Sequence, residues 1–213
     1  MIQIRWLGHA CFHIQVGGVS IITDPAPATT GYEIPMQDAD IVTVSHQHWD
    51  HNAVTLVKGQ PKILDQPGVF TAQGITLEGL PSFHDQQQGK DRGNNLIFRM
   101  QSGAVALAHL GDLGEFPDPW VMERLQGLDI LLIPVGGIFT LDAEAAYDLT
   151  CRLRPKVVIP MHFQTKNLNF ALEPVEKFIL KFPRVQKVPR LDYLPRIDEE
   201  PTVVILDYLL TCN

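Results

Sequence analysis

The feature that most constrains this chain is a dense run of metal-binding residue types directly after an apolar segment. Residues 46–51 read His-Gln-His-Trp-Asp-His, and the β-branched stretch that ends at Val44 predicts a strand before them. If the chain leaves that strand extended, His46, His48 and Asp50 point to one side. The last histidine turns inward as the chain reverses. One loop would then offer four imidazole and carboxylate side chains to metal ions.

The composition is that of a globular protein. The chain has 213 residues, of which 45% are hydrophobic and 19% charged, and this predicts one compact domain over residues 1–213 with a sizeable core. The formal net charge of −7 argues against a nucleic-acid partner, because such binders gather lysine and arginine on one face. No apolar run has the length of a membrane span, and the start at Met1 lacks the features of a signal peptide. We therefore expect a cytoplasmic protein.

The cysteines leave nitrogen and oxygen as the ligands of any metal. Cys11, Cys151 and Cys212 lie far apart and form no Cys-x-x-Cys pair, which excludes a thiolate zinc knuckle and gives no sign of a disulfide framework. Imidazole and carboxylate ligands suit several metals, so the residue types alone leave the metal open.

The first half of the chain predicts short strands, and the second half alternates helices with strands. Strands are expected at Ile2–Trp6, Cys11–Val16, Val19–Thr23, Ala39–Val44, Lys62–Leu64, Gly74–Leu77, Asn95–Met100, Ala104–His109, Asp129–Pro134 and Lys156–Pro160. Helices are expected near Ala53–Lys58, from Asp118 to Gly127, from Asp142 to Pro155, and from Glu173 to about Phe182. This order predicts an α/β fold of two packed sheets with helices outside.

A six-residue repeat occupies the C-terminal region. Pro183-Arg184-Val185, Pro189-Arg190-Leu191 and Pro195-Arg196-Ile197 recur at this spacing, and Pro201 continues it. Three copies are too few for a solenoid, whose units must bury one another. We expect an extended surface arm before a final strand at Thr202–Leu206. A contact between the subunits of a homo-oligomer is an alternative that the residues leave open.

The run His46-x-His48-x-Asp50-His51 resembles the signature of the metallo-β-lactamase superfamily. Further segments of that pattern stand in the expected order, namely Gly8-His9-Ala10, Thr23-Asp24-Pro25, Ser82-Phe83-His84, Gly111-Asp112 and Pro160-Met161-His162. Within the superfamily, residues 109–114 and 133–140 resemble the branch that includes L-ascorbate-6-phosphate lactonase. The resemblance implies a four-layer αββα sandwich of two mixed β-sheets flanked by helices.

The resemblance also implies two divalent metal ions, with zinc expected and manganese or iron as alternatives. The first site would be held by His46, His48 and His84, the second by Asp50, His51 and His162, and Asp112 would bridge both. Two cations roughly 3.5–4 Å apart can bind a hydroxide between them and lower its pKa towards neutrality.

The function implied is hydrolysis of a small-molecule ester, lactone or phosphodiester. Asp50 would bind metal and orient the nucleophilic water. His109, at a strand end, would either orient a ligand or contact substrate, or have only a structural role, and His9 is a similar candidate that would pair with Asp24. Two alternatives stay open: an iron-dependent oxidoreductase on the same ligands, and a metal-binding protein that has lost catalysis.

Two other groups of residues receive a structural interpretation. The polar loop 85–95, which contains Lys90 and Arg92, is expected to be exposed to solvent rather than to hold substrate. Four aromatic residues near the signature segments are expected in the core rather than in a pocket, namely Trp49, Phe116, Phe139 and Phe163.

Overall fold

The structure is a computed structural model that describes residues 1–35, 37–195 and 200–208. Its strands, numbered in chain order, are β1 Ile2–Gly8, β2 Cys11–Val16, β3 Val19–Thr23, β4 Ile41–Thr43, β5 Lys62–Leu64, β6 Gly68–Ala72, β7 Ile75–Phe83, β8 Asn94–Ser102, β9 Val105–His109, β10 Ile130–Pro134, β11 Val157–Met161, β12 Val185–Val188, β13 Leu191–Tyr193 and β14 Thr202–Leu206. Its α-helices are α1 Pro119–Arg124, α2 Ala143–Leu153 and α3 Glu176–Ile179. Across these three ranges, no helix has the length and hydropathy needed to cross a membrane.

The strands form two sheets that each contain parallel and antiparallel pairs. The first sheet has the order β13-β1-β2-β3-β4-β5, in which β1 to β3 are antiparallel and β3 to β5 are parallel. The second sheet has the order β12-β14-β11-β10-β9-β8-β7-β6, with antiparallel pairing from β6 to β9 and parallel pairing from β9 to β12. Two mixed sheets with flanking helices confirm the predicted fold class.

The local sequence explains the strands at the centre of each sheet. Residues of β1 alternate between buried and half-buried positions, and Gly17 and Gly18 turn the chain between β2 and β3 with φ angles of +58° and +85°. The strands β10 and β11 are buried at every position, because parallel strands inside a sheet are covered on both faces.

One hydrophobic cluster joins the two sheets and the helices. It contains Phe12 from the first sheet, Ile97 and Leu131 from the second, and Leu149 and Phe178 from α2 and α3. The shared cluster means that neither sheet could bury its apolar face without the other.

Two predicted helices are shorter in the structure. The third helix was expected to begin at Glu173, but α3 begins at Glu176, because the Glu173 main chain is bonded to Gly136 and Gln164 of neighbouring segments. The expected helix at 53–58 is a 3₁₀ turn at Val54–Leu56, since hydrogen bonds to Pro25 and Gln37 hold its two ends to other loops. Tertiary hydrogen bonds override the local helical pattern in both places.

The prediction of an extended arm at the proline-arginine repeat is wrong. The repeat contains β12, which pairs with β14 in the second sheet, and β13, which pairs with β1 in the first. The segment therefore crosses from one sheet to the other and pairs with both. Arg196 and Ile197 lie outside the described residues. The exposed strand β6 was not predicted, because its residues lack an alternating apolar pattern.

The buried carboxylate of Asp129 links the two sheets and should make the fold sensitive to acid. It accepts hydrogen bonds from the Ala106 amide at 2.9 Å, Lys156 Nζ at 2.8 Å and the Tyr193 hydroxyl at 2.9 Å. Burial would raise the pKa of Asp129, but these hydrogen bonds outweigh it and lower the pKa. A carboxyl with a lowered folded pKa stabilises the fold above its unfolded pKa, and this contribution is lost as pH falls through the folded pKa.

We expect Asp129→Asn to lower the free energy of unfolding at pH 7 by about 1–3 kcal/mol. The difference from the parent protein should shrink below about pH 4, the range in which the unfolded carboxyl takes up its proton. Urea titrations between pH 7 and pH 3 measure both effects. Asp207→Asn is the matched control, because Asp207 and Lys187 form a surface pair at 2.9 Å that should contribute little. A deficit that stays constant with pH would contradict the prediction.

Candidate metal centre

Strand ends from both sheets bring the predicted ligands to one place. His46 and His48 follow β4, whereas His84 follows β7, Asp112 follows β9 and His162 follows β11. Parallel strands end at the same edge of a sheet, so side chains more than a hundred residues apart in sequence become neighbours. All seven predicted ligand residues converge in this one region.

The first cluster consists of three imidazoles. The ring nitrogens of His46, His48 and His84 lie within 4.8 Å of one another. The ring centroids of His46 and His48 are 4.5 Å apart. The centroid of the His84 ring lies 4.7 Å from that of His46 and 4.9 Å from that of His48. Three nitrogen donors at this spacing can share one metal ion and leave its remaining positions free for water or substrate.

The second cluster contains one residue that was not predicted as a ligand. Donor atoms of His9, Asp50, His51 and His162 lie within 4.8 Å of one another. His9 lies in the turn between β1 and β2 with a φ angle of +54°, an unfavourable conformation for a residue with a side chain. The signal in the sequence was Gly8-His9 at the end of a strand, but the expected partner was different.

The prediction that His9 pairs with Asp24 is wrong. His9 Nε2 lies 3.2 Å from Asp50 Oδ2, and its ring is 4.2 Å from the ring of His162. Burial and the neighbouring charge of His162 lower the pKa of His9 to about 4. Burial would raise the pKa of Asp50, but the hydrogen bond with His9 and the charge of His51 lower it. At neutral pH the pair is therefore a neutral imidazole beside a carboxylate.

Asp112 lies between the two clusters. Its Oδ2 atom is 3.9 Å from Nε2 of His46, 3.3 Å from that of His51, 3.3 Å from that of His84 and 3.1 Å from that of His162. The carboxyl group is buried, and burial alone would raise its pKa, but the surrounding imidazoles lower the pKa well below the usual range. A carboxylate in this position touches both groups of histidines and can bridge two cations.

Hydrogen bonds fix which nitrogen of three imidazoles faces Asp112. The carbonyl of Phe139 can only accept, so His84 Nδ1 donates to it at 3.1 Å and Nε2 keeps its lone pair. His51 Nδ1 lies 3.0 Å from a carboxylate oxygen of Asp24 and His46 Nδ1 lies 2.9 Å from the Ser45 hydroxyl, which leaves both Nε2 atoms turned to the centre. Metal-binding histidines are oriented by such partners on their other nitrogen.

The residues present fit metal ions. The Nε2 lone pairs of His46 and His84 are turned towards the carboxylate of Asp112, and cations between them would remove this repulsion. Among the described residues, His46 Nε2, His51 Nε2 and Asp112 Oδ1 are buried atoms without a hydrogen-bond partner. The carboxylates of Asp24, Asp50 and Asp112 also carry negative charge into a buried region, where uncompensated charge is costly. Two divalent ions would satisfy both the unpartnered atoms and the charge.

Asp24 orients two of the predicted ligands through hydrogen bonds. Its carboxylate accepts hydrogen bonds from the Ser45 amide at 2.8 Å and the Ser45 hydroxyl at 2.6 Å, in addition to the contact with His51. Burial would raise the pKa of Asp24, but the hydrogen bond with His51 and neighbouring histidines lower it. Burial would lower the pKa of His51, but Asp112 and Asp24 raise it well above the usual value. Asp24 therefore positions one predicted ligand directly and His46 through Ser45.

We expect Asp24→Asn to weaken metal binding without unfolding the protein. An amide has no negative charge and only one acceptor oxygen, whereas the Asp24 carboxylate contacts the Ser45 amide, the Ser45 hydroxyl and His51 Nδ1, so the hydrogen bond that orients His51 is weakened. The loss of such a partner typically costs about 10- to 100-fold in metal affinity. Competition with a chromophoric chelator for Zn²⁺ measures the loss. Asp40→Asn is the matched control, because Asp40 only accepts a surface amide hydrogen bond from Ser20. Equal affinities for the two variants would refute the assigned role.

Asn95 was missed by the sequence analysis, although it positions Asp112. Its Oδ1 accepts the Asp112 amide at 3.0 Å, and its Nδ2 donates to the Leu110 carbonyl at 2.9 Å and the Ser82 hydroxyl at 2.8 Å. The residue is fully buried on β8. No sequence signal marks it, because a buried asparagine in a strand resembles a solvent-facing one until the partners are known.

His109 makes main-chain hydrogen bonds with both ring nitrogens, which favours a structural role over the predicted catalytic one. Its Nε2 is 2.9 Å from the Ala10 carbonyl, and its Nδ1 accepts the Gly111 amide at 3.2 Å. The side chain is fully buried, and burial lowers its pKa. Because both ring nitrogens are bonded to the main chain, His109 ties the β9 end to the β1–β2 turn instead of contacting substrate.

The four aromatic residues divide between the core and the surface. Phe163 is buried and stacks on Trp6 at 5.3 Å, as predicted. Trp49 has 56% and Phe116 has 36% of its surface exposed, so the core prediction is wrong for both. Phe139 is half-buried, and its carbonyl contacts His84.

Comparisons with known proteins place the chain in a family. A family model described as "Beta-lactamase superfamily domain" matches residues 3–162. A UPF0173 metal-dependent hydrolase of Thermococcus onnurineus is 31% identical over 78% of this chain and 86% of its own length. The crystal structure of a Thermotoga maritima protein described as a Zn-dependent hydrolase of the metallo-β-lactamase superfamily has a TM-score of 0.82 and 37% identity, and covers 97% of this chain and 99% of that one.

A third relative is also a metal-dependent hydrolase by its description. Igni18, a metallo hydrolase of Ignicoccus hospitalis, has a TM-score of 0.62 and 26% identity over 76% of this chain and 83% of its own. The family model and the relatives cover most of the chain, including every segment that supplies a residue to the histidine clusters. The chain belongs to the metallo-β-lactamase superfamily and, within it, to the metal-dependent hydrolases.

Proposed function

We propose that this hydrolase acts on a small-molecule ester, lactone or phosphodiester and uses two divalent cations, with zinc expected. His46, His48 and His84 would hold the first cation, and Asp50, His51 and His162 the second, with Asp112 shared. The observation that carries the proposal is the position of Asp112 Oδ2 within 3.9 Å of the Nε2 atoms of four histidines. A lactone is included because residues 109–114 resemble the lactonase branch.

The proposed cations and the protein residues have different roles in the reaction. When bound, paired cations would polarise the scissile bond and lower the pKa of a water molecule. The chain contributes a fixed array of nitrogen donors, whose direction is set by Phe139, Ser45 and Asp24 on their other ring nitrogens. Little reorganisation is then needed when charge develops on the substrate oxygen.

We propose that Asp50 orients the attacking water and that His9 positions Asp50. The Asp50 side chain is 15% exposed, whereas that of Asp112 is 3% exposed, so a water can reach only the former without displacing protein atoms. The 3.2 Å contact with His9 Nε2 occupies Oδ2 and restricts rotation of the carboxylate. The other carboxylate oxygen of Asp50, Oδ1, is then held in a fixed direction for the water.

Hydrolysis of a defined substrate panel tests the proposal. Purified protein loaded with Zn²⁺ or Mn²⁺ is assayed with aryl esters, lactones, thioesters and bis(p-nitrophenyl) phosphate, and its metal content is measured in parallel. We expect turnover in at least one class, and its loss in Asp50→Ala with the fold retained by circular dichroism. Asp91→Ala is the control, because Asp91 is exposed and its side chain contacts only Gln87 among the described residues.

The measured metal separates the remaining alternatives. Bound iron with redox activity and no hydrolysis would favour the oxidoreductase, and stoichiometric metal with no turnover in any class would favour a binding protein. Either result would overturn the hydrolytic proposal, as would an Asp50→Ala variant with unchanged turnover.

A further inference from the structure

The polar loop after His84 is held in place from inside. The Asp85 carboxylate accepts hydrogen bonds of 2.7–2.9 Å from four main-chain amides of the loop, those of Gln87, Gly89, Asp91 and Arg92. Burial would raise the pKa of Asp85, but these amides lower it. The His84 amide also donates to the Gly93 carbonyl. Residues 85–93, the Asp85 loop, are therefore fixed relative to the first histidine cluster and are not merely a solvated connection.

The loop places an arginine beside that cluster. The guanidinium carbon of Arg92 lies 4.2 Å from the centre of the Phe139 ring, and the carbonyl of Phe139 accepts the hydrogen bond from His84. Stacking on an aromatic face holds a guanidinium without using its N–H donors. Arg92 is exposed, and within the described ranges no carboxylate forms an ion pair with it. Its donors are free to bind an anionic group.

A cleft connects Arg92 with the candidate metal ligands. It has a volume of about 460 Å³, and His46, His48, Asn94 and Arg92 are among the residues that line it. Asp65 also lines the cleft and accepts a hydrogen bond of 3.5 Å from Gln47 instead of pairing with Arg92. The volume is within the range of small-molecule sites, so one compound can reach both the arginine and the histidines.

A row of aromatic rings runs from Arg92 to the second cluster. The ring centre of Phe139 is 6.4 Å from that of Phe170, which in turn is 5.5 Å from His9 and 6.3 Å from Trp49. Trp49 keeps 56% of its surface exposed although it lies between two candidate ligands in the sequence. Exposed aromatic surface beside a reactive centre offers a contact for an apolar group of a ligand.

We propose that the substrate is an amphiphilic anion, in which an anionic group binds Arg92 and an apolar group packs on Phe170 and Trp49. The inference rests on the proposed hydrolytic function only for the position of the scissile bond, which would lie between these two ends, above Asp112. Recognition by Arg92 and by the aromatic row can be measured without turnover. The first experiment therefore concerns binding alone.

Calorimetry with paired probes tests the recognition. The metal-loaded protein is titrated with naphthalene-2-sulfonate, an anion, and with methyl 2-naphthyl sulfone, its neutral analogue. We expect Arg92→Gln to weaken sulfonate binding about tenfold or more, because charge-assisted hydrogen bonds are lost, and to leave sulfone binding unchanged. Phe170→Ala should weaken the binding of both probes, since it removes the aromatic surface that they share.

Two variants elsewhere serve as matched controls. Arg152 lies over Phe116 at 4.8 Å and does not line the cleft beside Arg92, so Arg152→Gln removes an equivalent stacked arginine from another place. Trp120 is 49% exposed on α1, so Trp120→Ala removes a comparable exposed aromatic group. We expect parent-like affinities for both variants. Sulfonate binding that is equally tight in Arg92→Gln and the parent protein, or equally weakened by Arg152→Gln, would overturn the proposal.

A kinetic pair separates this inference from the proposed function. The esters 4-(phenylacetoxy)benzoate and methyl 4-(phenylacetoxy)benzoate share a scissile bond, which lies between an apolar phenyl group and the benzoate end, but they differ in charge. We expect Arg92→Gln to raise KM for the anionic ester about tenfold with little change in kcat, and to leave the neutral ester unaffected. Hydrolysis of both esters with no charge-dependent effect of the variant would refute the role of Arg92 and keep the hydrolase. Selective sulfonate binding without any hydrolysis would keep the role of Arg92 and refute the proposed hydrolysis.

Discussion

Asp112→Asn is expected to abolish hydrolysis and to release at least one of the two proposed cations. Asparagine has nearly the same shape, so the amide hydrogen bond to Asn95 should remain and the fold should persist. The variant loses the negative charge that faces four imidazole nitrogens, and its amide nitrogen cannot serve as a ligand. We expect a loss of metal affinity of more than about 100-fold. Turnover should fall by about three orders of magnitude or more, which corresponds to roughly 4 kcal/mol of transition-state stabilisation.

Elemental analysis after dialysis, together with the rate on the best ester or phosphodiester, measures the two effects. Asp118→Asn is the matched control, because Asp118 precedes α1, is exposed, and makes no capping hydrogen bond with its side chain. A variant at Asp112 that keeps both the parent metal content and the parent rate would show that this carboxylate does not bridge cations.

Gly111→Ala is expected to be among the most destabilising substitutions near the centre. A Cβ atom at this position would lie 2.4 Å from Asn95 Oδ1 and 2.5 Å from Ser45 Cβ. Both neighbours are buried and hydrogen-bonded, so neither can move aside without breaking contacts to Asp112 or Asp24. The φ angle of +56° adds the strain of a left-handed conformation.

Gly103→Ala isolates the contribution of the close contacts. Gly103 has the same φ angle of +56°, but a Cβ atom there would meet nothing within 4 Å. The left-handed penalty of about 1–2 kcal/mol is therefore common to both variants. We expect the free energy of unfolding of Gly111→Ala to be about 2–4 kcal/mol lower than that of Gly103→Ala. Chemical denaturation of the metal-free proteins measures the difference. Equal values would mean that Asn95 and Ser45 can move aside at little cost in free energy.

The predictability of the centre differed from residue to residue. His46, His48, Asp50 and His51 were evident because they are close in sequence and follow an apolar strand, which is a local pattern. His84, Asp112 and His162 were predicted only through resemblance, since each alone has the appearance of an ordinary loop residue. Asn95 and Ser45 carried no signal, because their role depends on partners that are distant in the chain.

Wrong predictions arose where long-range contacts decided the outcome. The repeat near Pro189 was expected to be an arm, but its segments find partners in β1 and β14, which no local pattern specifies. His109 was a catalytic candidate because it lies at a strand end near the expected site, but the main chain of Ala10 and Gly111 contacts both of its ring nitrogens. The Asp85 loop is largely exposed to solvent, as predicted, but its fixed conformation depends on hydrogen bonds to the Asp85 carboxylate that no local pattern indicated.

The sequence by itself indicated most of the central strands and the fold class, because apolar periodicity is a property of neighbouring residues, and its compact ligand motif carried the resemblance to the family. Only the tertiary structure decided that His9 contacts Asp50, that Asp24 instead orients His51, and that Arg92 stacks beside the ligand-bearing loop. The physical reason is that ring-nitrogen orientation and the position of a charge depend on which hydrogen-bond partners the folded chain brings within about 3 Å. Those partners come from strand ends that are distant in sequence.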